Sequence, residues 1–134
     1  MPITYALEPD LTAQEFQHVL VASTLAERRP ANELPRLDKM LRHADLIVTA
    51  RDDGRLVGIS RAITDFSYCC YLSDLAVDTA YQKQGIGKRL IEETRTHAGE
   101  CASLILIAAP AAESYYPRIG MQPVKSCWVI PKSA

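Results

Sequence analysis

The sequence predicts an α/β chain of the mixed, α+β kind, with helices on a central sheet that is partly antiparallel and partly parallel. Two observations predict it. Two β-rich runs, residues 45–50 and 55–63, flank the turn Arg51-Asp-Asp-Gly54, which is a hairpin signal, and residues 64–67 make a second turn into a third run at 68–77. These three strands form an antiparallel meander. Farther on, run 68–77, a helical pattern over 85–98 and the apolar run 103–109 make a β-α-β unit, whose two strands should be parallel and joined by a right-handed crossover.

The remaining elements follow in order. Residues 3–7 read as a short strand, and Leu11-Thr12 introduces a helical pattern carrying Phe16, Val19 and Leu20. Residues 28–32 break it. A second helix over 34–43 puts Leu37, Met40 and Leu41 on one face and tolerates Pro35 in its first turn. Ile86, Leu90, Ile91 and Thr94 line one face of the third helix, which ends near Ala98-Gly99. The unbroken apolar run 103–109 reads as a strand buried on both faces. Residues 111–119 form a short helical piece interrupted by Pro117, and Met121 onward is a last extended segment containing Trp128-Val129-Ile130. The predicted order is β-α-α-β-β-β-α-β-α-β in a single domain over residues 1–134.

Composition narrows the function classes. A formal charge of −1 with 23% charged residues, and no block of like charge, argues against a nucleic-acid partner. No apolar run approaches the roughly 20 residues that span a bilayer, and the N-terminus lacks the pattern of a signal peptide. A cytoplasmic location is expected. The four cysteines fit it, since Cys69 and Cys70 are adjacent while Cys101 and Cys127 stand alone, without the spacing of a zinc or redox site. His18, His43 and His97 are scattered, so no metal centre is expected.

Chemistry concentrates in residues 71–91, where an apolar strand runs into a glycine turn that opens a helix free of carboxylates in its first residues. A helix start offers unpaired N–H groups and the positive end of a dipole, which suits a phosphate. Lys88 and Arg89 add charge beside it, and Gly85 and Gly87 leave the backbone uncovered. Two phosphate motifs fail on spacing. A P-loop requires a glycine where Gln82 stands and a Ser or Thr where Arg89 stands. A dinucleotide fingerprint requires a third glycine at Leu90 and an early place in the chain.

The motif Gln82-x-x-Gly85-x-Gly87 resembles the Gln/Arg-x-x-Gly-x-Gly/Ala signature of the GNAT acyltransferase superfamily. A second segment, Ser114-Tyr115-Tyr116-Pro-Arg-Ile-Gly120-Met121, is similar to that family's aromatic-Tyr-x-x-x-Gly-Phe/Met motif, and the element order is similar to the GNAT fold over the whole chain. The resemblance implies acetyl-CoA as acyl donor and an amine as acceptor. It assigns the coenzyme A diphosphate to the turn at Gln82, Lys83, Gln84, Gly85, Ile86, Gly87, Lys88 and Arg89. It assigns the pantetheine arm to the backbone of Leu75, Ala76 and Val77, where the family splays its two parallel strands so that the arm pairs like an added strand. A backbone N–H near Leu75 or Ala76 would face the thioester carbonyl as an oxyanion donor.

The same resemblance gives Tyr116 the role of proton donor to the departing thiolate, with Tyr115 packing in the core; a tyrosine with a reference pKa near 10 is protonated at neutral pH. For the proton leaving the amine the candidates are Asp74, Glu113 or water. Asp74 interrupts an apolar strand and needs a partner or a polar cavity. Residues 24–41 should clasp the acceptor, with Arg28 and Arg29 read as solvated at a helix end. Three functions compete: an N-acetyltransferase acting on a small molecule, peptide or protein amine, a coenzyme A-binding sensor without turnover, and a nucleotide-binding β-α-β domain. The last extended segment either closes the sheet or pairs with a second subunit in a homodimer.

Overall fold

A computed structural model describes residues 2–133. Its elements are β1 (Ile3–Leu7), α1 (Ala13–Ala22), α2 (Leu34–Arg42), β2 (Leu46–Asp52), β3 (Arg55–Thr64), β4 (Cys69–Val77), α3 (Ile86–Ala98), β5 (Ser103–Ile105) and the single turn α4 (Tyr115–Arg118), with short 3-10 turns at Leu25–Arg28, Thr79–Tyr81 and Pro110–Ala112. The five strands lie in sequence order in one sheet, antiparallel from β1 to β4 and parallel between β4 and β5. The mixed sheet and the β-α-β crossover are as predicted.

Local chemistry fixes the helix ends. Thr12 caps α1: its hydroxyl accepts from the Glu15 N–H at 3.1 Å while the Glu15 carboxylate accepts from the Thr12 N–H at 3.4 Å, a reciprocal capping box. Pro35 sits in the first turn of α2, where its missing N–H is not needed.

Helices cover both faces of the sheet. On one face α1 and α2 bury Phe16, Val19, Leu20, Leu37 and Leu41 against Ile47, Leu56, Ile59 and Ala76. On the other, α3 buries Ile86, Leu90 and Ile91 against Leu46, Val48, Val57, Ala62 and Leu72. Gly58 lets α3 approach closely, since a Cβ there would stand 3.1 Å from Leu90 and 3.3 Å from Ile86. Each fully buried aliphatic side chain contributes about 1.5–3 kcal/mol relative to exposure.

Strand β4 changes face partway along. Leu72 pairs with Ala62 and Asp74 with Arg61, which leaves Ser73 as an extra residue. Such a bulge reverses the alternation of side chains. Before it, Cys70 and Leu72 face α3; after it, Ala76 faces α1 and α2, whereas Leu75 and Val77 turn to α3. Asp74 therefore lies on the α1–α2 side of the sheet.

The C-terminal third departs from expectation. Strand β5 ends at Ile105 rather than at residue 109, and it is an exposed edge: Ile105 and Ile107 are 54% and 51% exposed. An apolar run does not by itself fix burial; here β4 flanks one side for only three positions and no helix covers the Ile105 face. The predicted last strand does not form among the described residues. Pro123 and Pro131 lack ladder donors, and Trp128 and Ile130 are 90% and 98% exposed, so nothing in the lone chain pairs or buries this segment. The predicted helical piece over 111–119 is broken into the 3-10 turn and α4.

Candidate active site: a glycine turn at the end of a half-paired strand

Two parallel strands part at the site. β4 and β5 pair at Cys69↔Ser103, Cys70↔Leu104 and Tyr71↔Ile105, and there the pairing ends. β4 itself continues to Val77 against β3. From Leu72 to Val77 its second edge thus has no strand neighbour, and backbone polar groups along such an edge are free to pair with an extended ligand. Backbone groups alternate along a strand: the Asp78 N–H bonds Val57 on the β3 side, so Ala76 also faces β3, and Leu75 and Val77, both half-buried, face the open edge, where Gln82 already holds the Val77 carbonyl.

The chain after Val77 is tied down residue by residue. The Asp78 N–H donates to the Val57 carbonyl at 2.8 Å, and its carboxylate accepts from the Ala80 N–H at 2.9 Å. Tyr81 donates its hydroxyl to Asp52 at 2.7 Å, and the Gln82 side-chain amide donates to the Val77 carbonyl at 3.1 Å. Gln82 therefore clips the turn to the end of β4. Lys83 and Gly85 take left-handed backbone, with φ of 65° and 81°, which brings the chain round into α3.

Arg89 closes the first turn of α3 by donating its N–H to the Gly85 carbonyl at 3.0 Å. The N–H groups of Ile86, Gly87 and Lys88 precede that bond, and they form the donor set at the helix start. Arg89 is not part of it. Its guanidinium donates to Glu93 at 2.9 and 3.0 Å and stacks 4.6 Å from the centre of the Tyr5 ring, so its amide is used within the helix and its side chain is directed away from the turn. Lys83, Gln84 and Lys88 are exposed around it. With two amides that have no partner in the helix, a third (Lys88) that meets the Tyr115 hydroxyl, two lysines and no carboxylate in the first turn, this end of α3 fits the diphosphate of coenzyme A in charge and donor type.

The two glycines serve different needs. Gly85 has open space about it and is required for its φ of 81°. Gly87 is required for room: a Cβ there would stand 2.8 Å from the Tyr115 hydroxyl oxygen and 3.8 Å from Val77. Tyr115 thus lies across the start of α3 rather than in the core, contrary to the role the sequence suggested. Burial raises its pKa, and the nearby Lys88 backbone amide offsets part of that rise.

Tyr116 packs in the apolar cluster that includes Leu72, Leu75, Leu104 and Leu106, at the point where β4 and β5 part. Burial, and secondarily Tyr115, raises its pKa above the ordinary value, so the phenol is neutral and able to donate at physiological pH. The two rings meet edge to face, with centres 5.3 Å apart.

Asp74 is fully buried, and each of its carboxylate oxygens accepts from a guanidinium: Oδ1 from Arg29 Nε and Oδ2 from Arg61 Nε. Neither oxygen is turned to an acceptor amine. The reading of Asp74 as general base is therefore replaced by that of an ion-pair anchor. Arg29, read from the sequence as solvated, is one of its partners; the other, Arg61, carried a signal, since an Asp and an Arg on apolar runs of neighbouring strands need one another. Glu113 is exposed on the turn before α4, and Cys70 is buried with its thiol pKa raised by that burial. No cluster of metal-ligating side chains occurs among the described residues.

Comparison with known proteins agrees with this geometry. In the solved structures, a probable acetyltransferase from meticillin-resistant Staphylococcus aureus superposes with a TM-score of 0.80 at 23% identity, covering 98% of this chain and 99% of that one. The ribosomal-protein-alanine N-acetyltransferase of Brucella melitensis superposes with a TM-score of 0.72 at 24% identity over 98% and 99%. The histone acetyltransferase TAP1 of Glycine max is 34% identical over 70 residues, or 51% of this chain and 30% of its own length. The chain thus spans under a third of the length of the curated relatives it matches. The family model "Acetyltransferase (GNAT) domain" matches residues 8–127, and the chain belongs to the GNAT acetyltransferase family.

Proposed function

We propose that this chain is an N-acetyltransferase that moves the acetyl group of acetyl-CoA directly to a primary amine of a small molecule, peptide or protein. The observation that carries the reading is the free edge of β4 from Leu72 to Val77, ending in a carboxylate-free helix start. The backbone of Leu75 and Val77 takes the amides of the pantetheine arm, and one N–H of this stretch stabilises the oxyanion. The amides of Ile86, Gly87 and Lys88, with Lys83 and Lys88 around them, take the diphosphate. Tyr116 gives its proton to the departing thiolate. The amine loses its proton to water or to Glu113, since both oxygens of Asp74 are occupied.

The acceptor side is the α1–α2 link over β4. The Brucella neighbour is named a ribosomal-protein-alanine N-acetyltransferase, which favours peptide amines as the first acceptors to try. Four free cysteines support a cytoplasmic setting. The outer edge of β5 is unpaired and Val124, Trp128, Val129 and Ile130 are exposed apolar side chains, which supports a homodimer; sedimentation velocity checks it.

Acetyl-CoA is expected to raise the melting temperature, and one of a panel of peptides, polyamines, amino acids and aminoglycosides is expected to release thiol from it. Failure to bind coenzyme A sinks the proposal. A sensor without turnover is the better reading if acetyl-CoA binds but Tyr116→Phe changes no thiol-release rate.

A further inference from the structure

We infer that Arg29 is a positioning residue for the acyl donor: together with Arg61 it holds the Ser73 bulge in β4, and the bulge keeps the Leu75–Val77 edge open. The inference rests on the acetyl-CoA reading above and extends it to a residue that no motif marks.

Two guanidiniums grip two successive residues. Arg29 donates from Nη2 to the Ser73 carbonyl at 2.7 Å and from Nε to Asp74; Arg61 donates from Nη2 to the Ser73 hydroxyl at 3.0 Å and from Nε to the other oxygen of Asp74. The third nitrogen of Arg29 donates to the Arg28 carbonyl at 2.8 Å, so all three of its nitrogens are engaged. A bulge leaves the extra residue outside the ladder, and a carbonyl so left must find another donor or carry a desolvation cost. Arg29 supplies that donor. A planar fork satisfying three separate acceptors is something a lysine cannot reproduce.

Position gives the grip its consequence. The bulge stands between Tyr71, the last β4 residue paired with β5, and Leu75, the first of the three expected to meet the donor. Without it, β4 would regain strict alternation, and Leu75 through Val77 would exchange faces. Arg29 also belongs to the link between α1 and α2, on the acceptor side. That link is held independently, by the Ala31 N–H to the Arg29 carbonyl at 2.8 Å and by the Gln17 amide to the Ala31 carbonyl at 2.7 Å. One side chain therefore joins the acceptor side of the site to the donor strand.

Asp74 and Arg61 are 0% and 7% exposed, whereas the Arg29 side chain is 22% exposed, so a small guanidinium can reach its place from solvent. The test is calorimetric titration of acetyl-CoA into the full chain and its variants, with melting curves in parallel. Arg29→Ala is expected to fold and to bind about tenfold more weakly. N-ethylguanidinium is expected to restore the affinity, and ethylammonium is not. Arg28→Ala, an exposed neighbour, is expected to bind as the unaltered chain does. If Arg29→Ala does not fold, Arg29→Lys replaces it, with the same weakening expected at a native-like melting temperature. Wild-type affinity in Arg29→Ala or Arg29→Lys, rescue by both cations alike, or rescue by neither in a folded variant overturns the inference while leaving acetyl-CoA binding in place. If the unaltered chain itself does not bind acetyl-CoA, the proposed function fails first.

Discussion

Strand β4 has two unlike edges. Toward β3 it is paired from Cys70 to Val77, interrupted by one bulge; toward β5 it is paired from Cys69 to Tyr71 and then open. The first edge belongs to a body, β1 to α3, in which both sheet faces are covered and the largest apolar side chains are fully buried. The second edge faces β5, α4 and the C-terminal segment, where Trp128, Val129 and Ile130 are exposed. The difference separates the work: residues 72–77 of β4 join the body through the β3 edge and through their side chains, and the opposite edge is left open to bind because no strand of the body uses it.

The comparison breaks most readily in the core. Phe16, 0% exposed beneath α1, should cost about 3–5 kcal/mol when cut to alanine. Trp128→Ala, although it removes a larger side chain, should stay within about 0.5 kcal/mol in the lone chain. Chemical denaturation of the two variants checks both values. A large loss from Trp128→Ala would mean that the C-terminal segment is buried in solution, and its concentration dependence would assign the burial to a second copy.

Next in size is the clamp at the bulge. Asp74→Asn keeps the shape but leaves two guanidiniums without a counter-charge, and breaking a buried pair costs about 3–5 kcal/mol. Because Arg29 is partly exposed, the low end of that range is expected. The loss is read from the denaturation midpoint. An unchanged midpoint would remove Asp74 from the supports of the body.

The glycine turn sharpens the comparison at smaller scale. Gly85→Ala forces a side chain into left-handed backbone and should lower stability by about 1 kcal/mol. Gly87→Ala has ordinary helical backbone, so its stability should change by less, but its methyl group meets the Tyr115 hydroxyl at 2.8 Å and must displace it. Weaker acetyl-CoA binding with a near-native melting temperature is expected from Gly87→Ala, and the two variants together separate fold from site.

How legible this was from the sequence follows the same division. The hairpin at Asp53-Gly54, the β-α-β unit and the glycine turn are local signals, and β1 to β4, α3 and the turn stand within a residue or two of where those signals put them, whereas β5 stops four residues short. Arg29 meeting Asp74 joins residues 45 positions apart, through a bulge that changes which face Asp74 occupies; no local pattern encodes that change. Tyr115 and Tyr116 are adjacent and chemically alike, and only the placement of α4 gives one to the helix start and the other to the apolar cluster. The apolar run 103–109 misled for a related reason, since hydrophobicity shows what a strand can bury and leaves open what lies beside it.

The smallest effect distinguishes two sources of acid sensitivity, one in the body and one at a turn. In the body, Arg51 donates to Glu8 and Glu15 at 2.8 Å, which lowers both carboxyl pKa values below 4.5. At the turn before β4, three backbone N–H groups, from Ser67, Tyr68 and Cys69, lower Asp65 from 3.8 to about 2. All three groups are depressed in the folded chain, so the unfolded chain binds more protons as pH falls, and acidification destabilises. The contribution of Glu8 and Glu15 is complete above their unfolded value of 4.5 and is lost as pH falls through it toward the lowered folded values. That of Asp65 is lost later, between 3.8 and about 2. Arg51→Ala should therefore flatten the melting temperature against pH in the upper part of this range and leave the lower part sloping, whereas Asp65→Asn should do the reverse. If Arg51→Ala leaves the upper slope intact, the network joining β1, β2 and α1 is not what ties the stability of the body to pH.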